Sequence, residues 1–285
     1  SNEIIIQICK SKNDNIDISV KDNGSGISEK DLDKICQMNT TSKISSFGDL
    51  ATLKLYGFRG QALNAICNAS DIEILSNNDN RNNKATYDRY GNIKEKFCNC
   101  EKLNGTKILA KNIFSDYPVR QKFLAKSINS EINKILYICK AFLIAKKELK
   151  LKLTYKNEDN MKILLNATSY SDKNSIFSNN TQILNINLFD PDIDLQLKGT
   201  FYKNKSLDGS LGRSLRDKQF LFVNERIVFN QKIKKMVNSE YKKATEGYYP
   251  LYHLKIRIPN EKIDFNISAN KTKILFVNEN LVVNK

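Results

Sequence analysis

The stretch Thr40–Ile66, TTSKISSFGDLATLKLYGFRGQALNAI, carries the strongest local signal in the chain. Within it, Gly57 and Gly60 bracket two residues, and apolar side chains then recur at the spacing of a helix that begins at Gln61. The free N–H groups and positive dipole end of a helix start favour a phosphate, and glycine lets an anion approach the backbone. The pattern predicts a phosphate-binding loop, with an ordinary turn before a core helix as the alternative.

A second glycine-bearing turn, DNGSGI at Asp22–Ile27, precedes this stretch. Asp22 can accept a hydrogen bond from the exocyclic amine of adenine, and Gly24 and Gly26 leave room for the base. The chain contains no GxxxxGK[ST], and its GSG lacks the third glycine of a dinucleotide fingerprint. The two turns together predict a nucleotide pocket of a less common kind, although DNG alone is more typical of a strand turn.

Size and composition limit the possible classes. A chain of 285 residues with 40% hydrophobic side chains fits two globular domains, and no apolar run reaches the length of a membrane span. The net charge of +15 favours a polyanionic partner such as nucleic acid, but Lys and Asn also fill apparent loops such as Asn77–Lys84. The 6 cysteines lack a disulfide-framework spacing and His253 is the single histidine, which favours reduced thiols over a zinc site.

Hydrophobic periodicity predicts mixed strands and helices in the first half of the chain. Ile4–Ile8 and Ile16–Val20 alternate as a hairpin almost from the first residue, so the chain resembles a fragment that opens in mid-strand. A loop is expected at Asn77–Asn83. The best helical pattern covers Ser130–Glu148, and Pro118 is expected to interrupt regular structure ahead of it.

The strand pattern restarts near residue 180, which predicts two domains, 1–180 and 181–285. The second domain is expected to contain four strands, at Ile183–Leu188, Leu195–Phe201, Gln219–Val223 and Leu251–Ile258, and one helix at Gln231–Lys242.

Six motifs occur in the order and approximate spacing of the MutL family of DNA mismatch-repair ATPases. They are DNGSGI at Asp22, TTSKI at Thr40, YGFRGQAL at Tyr56, GT at Gly105, NERIV at Asn224 and DFNISANK at Asp264. DNGxGI alone would also suit type II topoisomerases, sensor kinases and heat-shock chaperones, whereas TSKI followed by GFRG and AL is particular to MutL proteins. The resemblance covers essentially the whole chain, and PVRQK at Pro118 favours the eukaryotic postmeiotic-segregation branch.

The resemblance implies both a fold and a set of site residues. The fold is an α/β sandwich with a mixed sheet, the GHKL or Bergerat ATP-binding domain, followed by a smaller ribosomal-protein-like α/β domain. Asp22 would contact adenine with Gly26 beneath it, and Thr106 would support the base. The lid over the triphosphate would contain Thr41, Ser42 and Lys43. Backbone donors to the phosphates would come from Gly57, Phe58, Arg59, Gly60, Gln61, Ala62 and Leu63.

Two basic residues of the second domain also match family positions. Lys271 would reach the terminal phosphate, and Arg226 would contact DNA. The family's general-base glutamate and its magnesium-binding asparagine lie upstream of the first residue given, so the resemblance assigns no catalytic residue and no metal ligand here.

The implied activity is that of a clamp. ATP with Mg²⁺ would drive dimerisation of N-terminal domains around duplex DNA without sequence preference, and slow hydrolysis would reset them. The implied partners are a second MutL homolog in a heterodimer and MutS homologs, in the nucleus and without a membrane. Two alternatives are a non-catalytic DNA-binding clamp module and, less in keeping with TSKI and GFRG, an ATPase of the topoisomerase or chaperone kind.

Overall fold

The structure, a computed structural model, describes residues 1–38, 61–98, 103–168, 176–177, 181–204, 218–245, 248–264 and 272–278. It divides into two compact units, one made of Ser1–Cys139 and Lys147–Ser169, the other of Lys140–Lys146 and Tyr170–Lys285. The domain boundary at residue 180 stays a prediction, because residues 178–180 lie outside the described ranges.

The first unit is built on a mixed sheet of eight described strands in the order β5-β4-β3-β6-β2-β1-β7-β8. The strands are β1 (Glu3–Lys10), β2 (Ile16–Asp22), β3 (Asp71–Asn78), β4 (Arg81–Tyr87), β5 (Ile93–Cys98), β6 (Thr106–Lys111), β7 (Lys150–Asn157) and β8 (Asn160–Ala167). Three described helices accompany them, α1 (Glu29–Leu32), α2 (Gln61–Cys67) and α3 (Pro118–Ala145).

The predicted hairpin at the start of the chain is confirmed. β1 pairs antiparallel with β2, with Ile8 opposite Ile18, and it pairs parallel with β7, which makes the sheet mixed. Ile8 and Ile16 are 0% and 1% exposed, so one side of this alternating pattern enters the core. The acidic turn after β2 leads into α1, where the Ser28 hydroxyl accepts a hydrogen bond from the Asp31 amide at 3.1 Å, as a capping residue does.

The predicted loop at Asn77–Asn83 is wrong. β3 and β4 pair through this region down to Asn78 opposite Arg81, so only Asp79 and Asn80 form the turn. Both have positive φ, 50° and 63°, which is the geometry of a tight hairpin turn. Asn and Asp tolerate positive φ better than most other side chains do. The polar residues here therefore belong to the turn and strand ends of a long hairpin.

The expected break at Pro118 is also wrong. Pro118 is the first residue of α3, which continues to Ala145 and thus begins well before the predicted start at Ser130. Proline suits the first helical position because its fixed φ is already helical and its missing N–H has no acceptor there. No helix in the described part of the chain is both long and apolar enough to cross a bilayer.

The second unit contains a five-stranded sheet in the order β12-β11-β13-β10-β9 and one long described helix. The elements are β9 (Thr181–Asp190), β10 (Leu195–Asn204), β11 (Gln219–Val223), β12 (Arg226–Ile227), α4 (Gln231–Ala244), β13 (Leu251–Arg257), β14 (Ile263–Asp264) and β15 (Leu275–Phe276). The four predicted strands and the predicted helix are therefore confirmed. Ile233 of α4 packs with Leu221, Val223 and Leu254 in one buried cluster.

Candidate nucleotide-binding site

The ends of three neighbouring strands bring together the residues that the sequence predicts to contact adenine. Asp22, the last residue of β2, lies opposite Thr106 of β6, and Thr106 in turn lies opposite Ser76 of β3. The DNGSGI turn leaves β2 at this point. Asp22, Gly24, Gly26 and Thr106, which the sequence suggested separately, therefore meet at one end of the sheet.

One of the two carboxylate oxygens of Asp22 accepts a hydrogen bond within the turn that follows β2. The Oδ1 atom of Asp22 accepts this bond from the Gly24 amide at 2.6 Å. Its Oδ2 has no hydrogen bond with any described residue, and the side chain is half-buried. A carboxylate oxygen is an acceptor only, so Oδ2 is suited to an incoming amino group. A Cβ on Gly24 would stand 2.6 Å from Oδ1 and crowd the carboxylate.

Two glycines let backbone pack directly on backbone around Asp22. Gly26 has φ +79°, and a Cβ there would overlap the Asn77 carbonyl at the end of β3. Gly105 has φ +86°, and a Cβ there would overlap the Asp22 carbonyl. Other residues would be strained at these angles and would also push the strand ends apart. The shape of this end of the sheet therefore depends on both glycines.

Ser76 is a residue of this region that motif reading missed. It is 1% exposed, its hydroxyl accepts a hydrogen bond from the Ile27 amide at 2.7 Å, and it lies 3.0 Å from the Thr106 hydroxyl. The pair ties the glycine turn to β3 and β6. The available signal was a polar residue at the inward position of a strand whose previous inward residues, Ile72 and Ile74, are apolar.

The helix predicted after the phosphate loop is present in the described residues as α2, Gln61–Cys67. Gln61 and Ala62 are exposed and Leu63 is half-buried. Helix geometry leaves the first amides of α2 without an intrahelical acceptor. The helix is anchored further along, where the Asn64 side chain donates to the Cys36 carbonyl at 3.0 Å and to the Tyr90 carbonyl at 3.3 Å.

The groups behind α2 are built for packing. Cys36 and Cys67 are both 0% exposed, and the pKa of the Cys36 thiol is raised by its hydrogen bond to Cys67 and by burial. Burial also raises the pKa of Tyr87, whose hydroxyl donates to the Leu32 carbonyl at 2.8 Å. A protonated thiol such as Cys36 is a poor nucleophile, and neither cysteine is exposed, so we assign the cluster a packing role behind α2.

Several predicted site residues lie outside the described residues: Thr41, Ser42, Lys43, Gly57, Phe58, Arg59, Gly60 and Lys271. Their roles stay predictions. Within the described ranges, no group of three or more His, Cys, Asp or Glu side chains could hold a metal ion.

Arg226, the predicted DNA contact, is only 7% exposed. Arg226 lies in β12 opposite Val223 of β11, and it has an interaction within the protein. A phosphate contact needs an accessible guanidinium, so DNA contact at Arg226 stays a prediction that would require this side chain to be uncovered.

Two family models match the chain. The model described as "Histidine kinase-, DNA gyrase B-, and HSP90-like ATPase" matches residues 1–114, and "DNA mismatch repair protein, C-terminal domain" matches residues 174–285. Among curated proteins, DNA mismatch repair protein PMS1 of Saccharomyces cerevisiae is 28% identical over 293 residues, covering 93% of this chain and 33% of that protein. PMS1 protein homolog 1 of Homo sapiens is 29% identical over 280 residues, covering 93% and 30%. The chain thus spans about a third of the length of these relatives.

Solved structures share the fold. The structure titled "Crystal Structure of N terminal domain of a DNA repair protein" matches with a TM-score of 0.80 and 23% identity, covering 100% of this chain and 86% of that one. The Aquifex aeolicus MutL ATPase domain complexed with ADP matches with a TM-score of 0.60 and 19% identity, covering 91% and 85%. At these identities the likeness concerns the fold.

Proposed function

Because the chain belongs to the MutL family of DNA mismatch-repair proteins, we propose that it is the ATP-binding N-terminal region of a mismatch-repair clamp. The observation that carries the proposal is the end of the first sheet, where Asp22 presents an unpaired carboxylate oxygen beside two glycines of positive φ. A purine amino group can donate to this oxygen, and the turn beside it carries no side chain at Gly24 or Gly26.

The phosphates would lie toward the start of α2. Gln61, Ala62 and Leu63 would offer backbone amides to them, in continuity with Gly57, Phe58, Arg59 and Gly60. Thr41, Ser42 and Lys43 would form the lid, and Lys271 would contact the terminal phosphate. Mg²⁺ is proposed as the accompanying ion from family membership alone, since the described residues supply no ligand group for it.

The test of the adenine contact is Asp22→Asn. Asparagine keeps an oxygen that can accept from the Gly24 amide, so the turn should persist, but it presents an NH₂ group where the purine amine must donate. Removing a charge-assisted hydrogen bond and opposing two donors should cost about 1.5–3 kcal/mol, which is roughly a 10- to 100-fold loss of ATP affinity. Binding of ATP to the full chain would be measured by calorimetric titration.

The matched control is Asp159→Asn, an identical change at an exposed residue of the β7–β8 turn. It should leave ATP binding unchanged. Thermal unfolding of both variants checks that the fold is kept. Equal ATP affinity of the unaltered chain and a folded Asp22→Asn variant would refute the proposed pocket.

For the whole protein we propose the activity implied by family membership. ATP binding would close two N-terminal regions around duplex DNA, and slow hydrolysis would reopen them. We further propose a second MutL homolog as the heterodimer partner, MutS homologs as upstream partners and the nucleus as the location. Support for these comes from the similarity to PMS1 and PMS2 proteins over 93% of the chain.

A further inference from the structure

A groove of about 720 Å³ lies in the first unit, away from the strand ends that hold Asp22. It is bounded on one side by α3 and on the other by the last strands of the sheet, β7 and β8. Lys10, Lys126 and Lys162 contribute to its lining, and no acidic residue does. A volume of this size is typical of ligand-binding clefts, and the sign of its charge is positive.

The polar groups of the groove are largely unused. Lys126 and Lys162 form no ion pair with any described residue. Four side-chain amides of the lining also form no hydrogen bond with any described residue, namely those of Asn129, Asn133, Asn157 and Asn160. Lys10 differs, since its ammonium group pairs with Asp14 at 3.0 Å and donates to the Ala125 carbonyl at 3.3 Å. Two ammonium groups and four amides therefore have hydrogen-bonding capacity to offer an occupant.

The groove also reaches the outer strand of the described sheet. β8 is the outermost strand of the described sheet and pairs with β7 alone. Asn160, Met161 and Lys162 at the start of β8 line the groove together with Lys10 of β1 and Tyr155 of β7. The groove therefore crosses these strand ends and reaches the outermost strand. An outer strand carries N–H and C=O groups that a further strand can pair with. Met161 and Ile163 are 63% and 58% exposed on the same strand.

We propose that this groove binds an extended acidic peptide segment of a partner protein. The segment adds to β8 as a further strand and directs carboxylates toward Lys126 and Lys162, while its backbone meets the asparagine amides. Main-chain pairing supplies affinity in this mode of recognition, and the side chains supply specificity.

The edge distinguishes a peptide from a nucleic acid. Phosphates need the lysines but have no use for unpaired strand N–H and C=O groups or for exposed Met161 and Ile163. A peptide strand uses all of these at once. The site shares no residue with the nucleotide pocket, so either proposal can fail without the other.

The experiment uses the full chain and a fluorescent peptide of about eight residues that alternates Glu with Thr, a length typical of a strand. Binding is followed by anisotropy at low salt. Two matched peptides separate the contributions, one with Gln in place of Glu and one with Pro in place of Thr, which removes the N–H groups needed for pairing. The acidic peptide should bind, and both matched peptides should bind at least about tenfold more weakly.

The variant of the protein is the double charge reversal Lys126→Glu with Lys162→Glu, which should weaken binding of the acidic peptide by about tenfold or more. The control carries Lys30→Glu with Lys235→Glu, an equal change in net charge at exposed residues of α1 and α4, and should bind as the unaltered chain does. All four lysines are exposed, so the variants should fold.

Three outcomes would overturn the proposal. The acidic peptide fails to bind, it binds the groove variant as tightly as the control variant, or its proline form binds equally well. Displacement of the peptide by duplex DNA, together with loss of DNA binding in the groove variant alone, would assign the groove to nucleic acid instead.

Discussion

His253 lies on β13, the central strand of the second sheet, opposite Thr200 and Phe220. Its Nδ1 is 3.2 Å from the Tyr202 hydroxyl, and its ring centroid is 5.9 Å from that of Phe177. Burial, with a smaller effect of Lys255, lowers the pKa of His253 to about 4. The imidazole is therefore neutral in the folded protein at neutral pH, and it serves the aromatic cluster as a packing and hydrogen-bonding group.

The shifted pKa of His253 predicts a loss of stability in acid. Between pH 6.5 and about 4 the unfolded chain binds a proton that the folded chain does not, so the free energy of unfolding falls as pH falls through this window. The loss attributable to His253 should reach about 2–3 kcal/mol near the lower end and be absent above the window. Urea unfolding of the unaltered chain and His253→Gln, at neutral and acid pH, measures it. Identical pH dependence in both proteins would contradict the assignment.

Single residues also show where motif reading stops. Asp22 and the glycines beside it stand in a recognisable motif, whereas Ser76 stands in a strand and is noticed only through its hydrogen bonds with Ile27 and Thr106. A hydroxyl at a buried strand position needs a partner, but the sequence does not say which one.

At the scale of elements, the first turn of α4 is capped by one side chain, that of Asn230. The Asn230 side-chain oxygen accepts from the amides of Lys232 at 2.9 Å and Ile233 at 3.0 Å. Asn230→Ala leaves two amides without this acceptor and should lower the free energy of unfolding by about 1 kcal/mol. Denaturant unfolding measures the change.

Asn230→Ser is the matched control for this cap. Serine also caps well, so it should recover most of the stability that alanine loses. If serine and alanine destabilise the chain equally, the contribution of Asn230 comes from other contacts of its side chain.

Element types were predictable, and element ends were less so. The alternation of Ile4–Ile8 and the spacing in Ser130–Glu148 identify a strand and a helix because these periods belong to the elements themselves. The start of α3 at Pro118 and the tight turn at Asp79 and Asn80 were misread because proline and short polar residues serve both as breakers and as end residues.

At the scale of the whole molecule, the net charge of +15 predicts binding to duplex DNA without sequence preference. Affinity should fall linearly on a log–log plot as salt rises, with a slope that counts the phosphates neutralised, and it should be equal for two duplexes of unrelated sequence. Anisotropy across a salt series measures both.

One further measurement bears on the predicted DNA binding. Without nucleotide, Asp22→Asn should bind DNA as the unaltered chain does, because the substitution removes no basic side chain. DNA binding that does not depend on salt would contradict an interaction with phosphates. It would favour the alternative that the positive charge is a general bias of composition and forms no DNA-binding surface.

The sequence by itself indicated the MutL resemblance, the kinds of elements, Asp22 with its glycines as the candidate adenine contact, and the basic character of the chain. These features follow from residue identity and short-range spacing, because local backbone geometry and net charge depend directly on both. Only the tertiary structure decided that Gly105 must admit the Asp22 carbonyl, that Ser76 joins Thr106, that Arg226 is buried, and that β8 and α3 enclose a groove. The physical reason is that each of these depends on residues far apart in the chain that meet only when the sheet has formed.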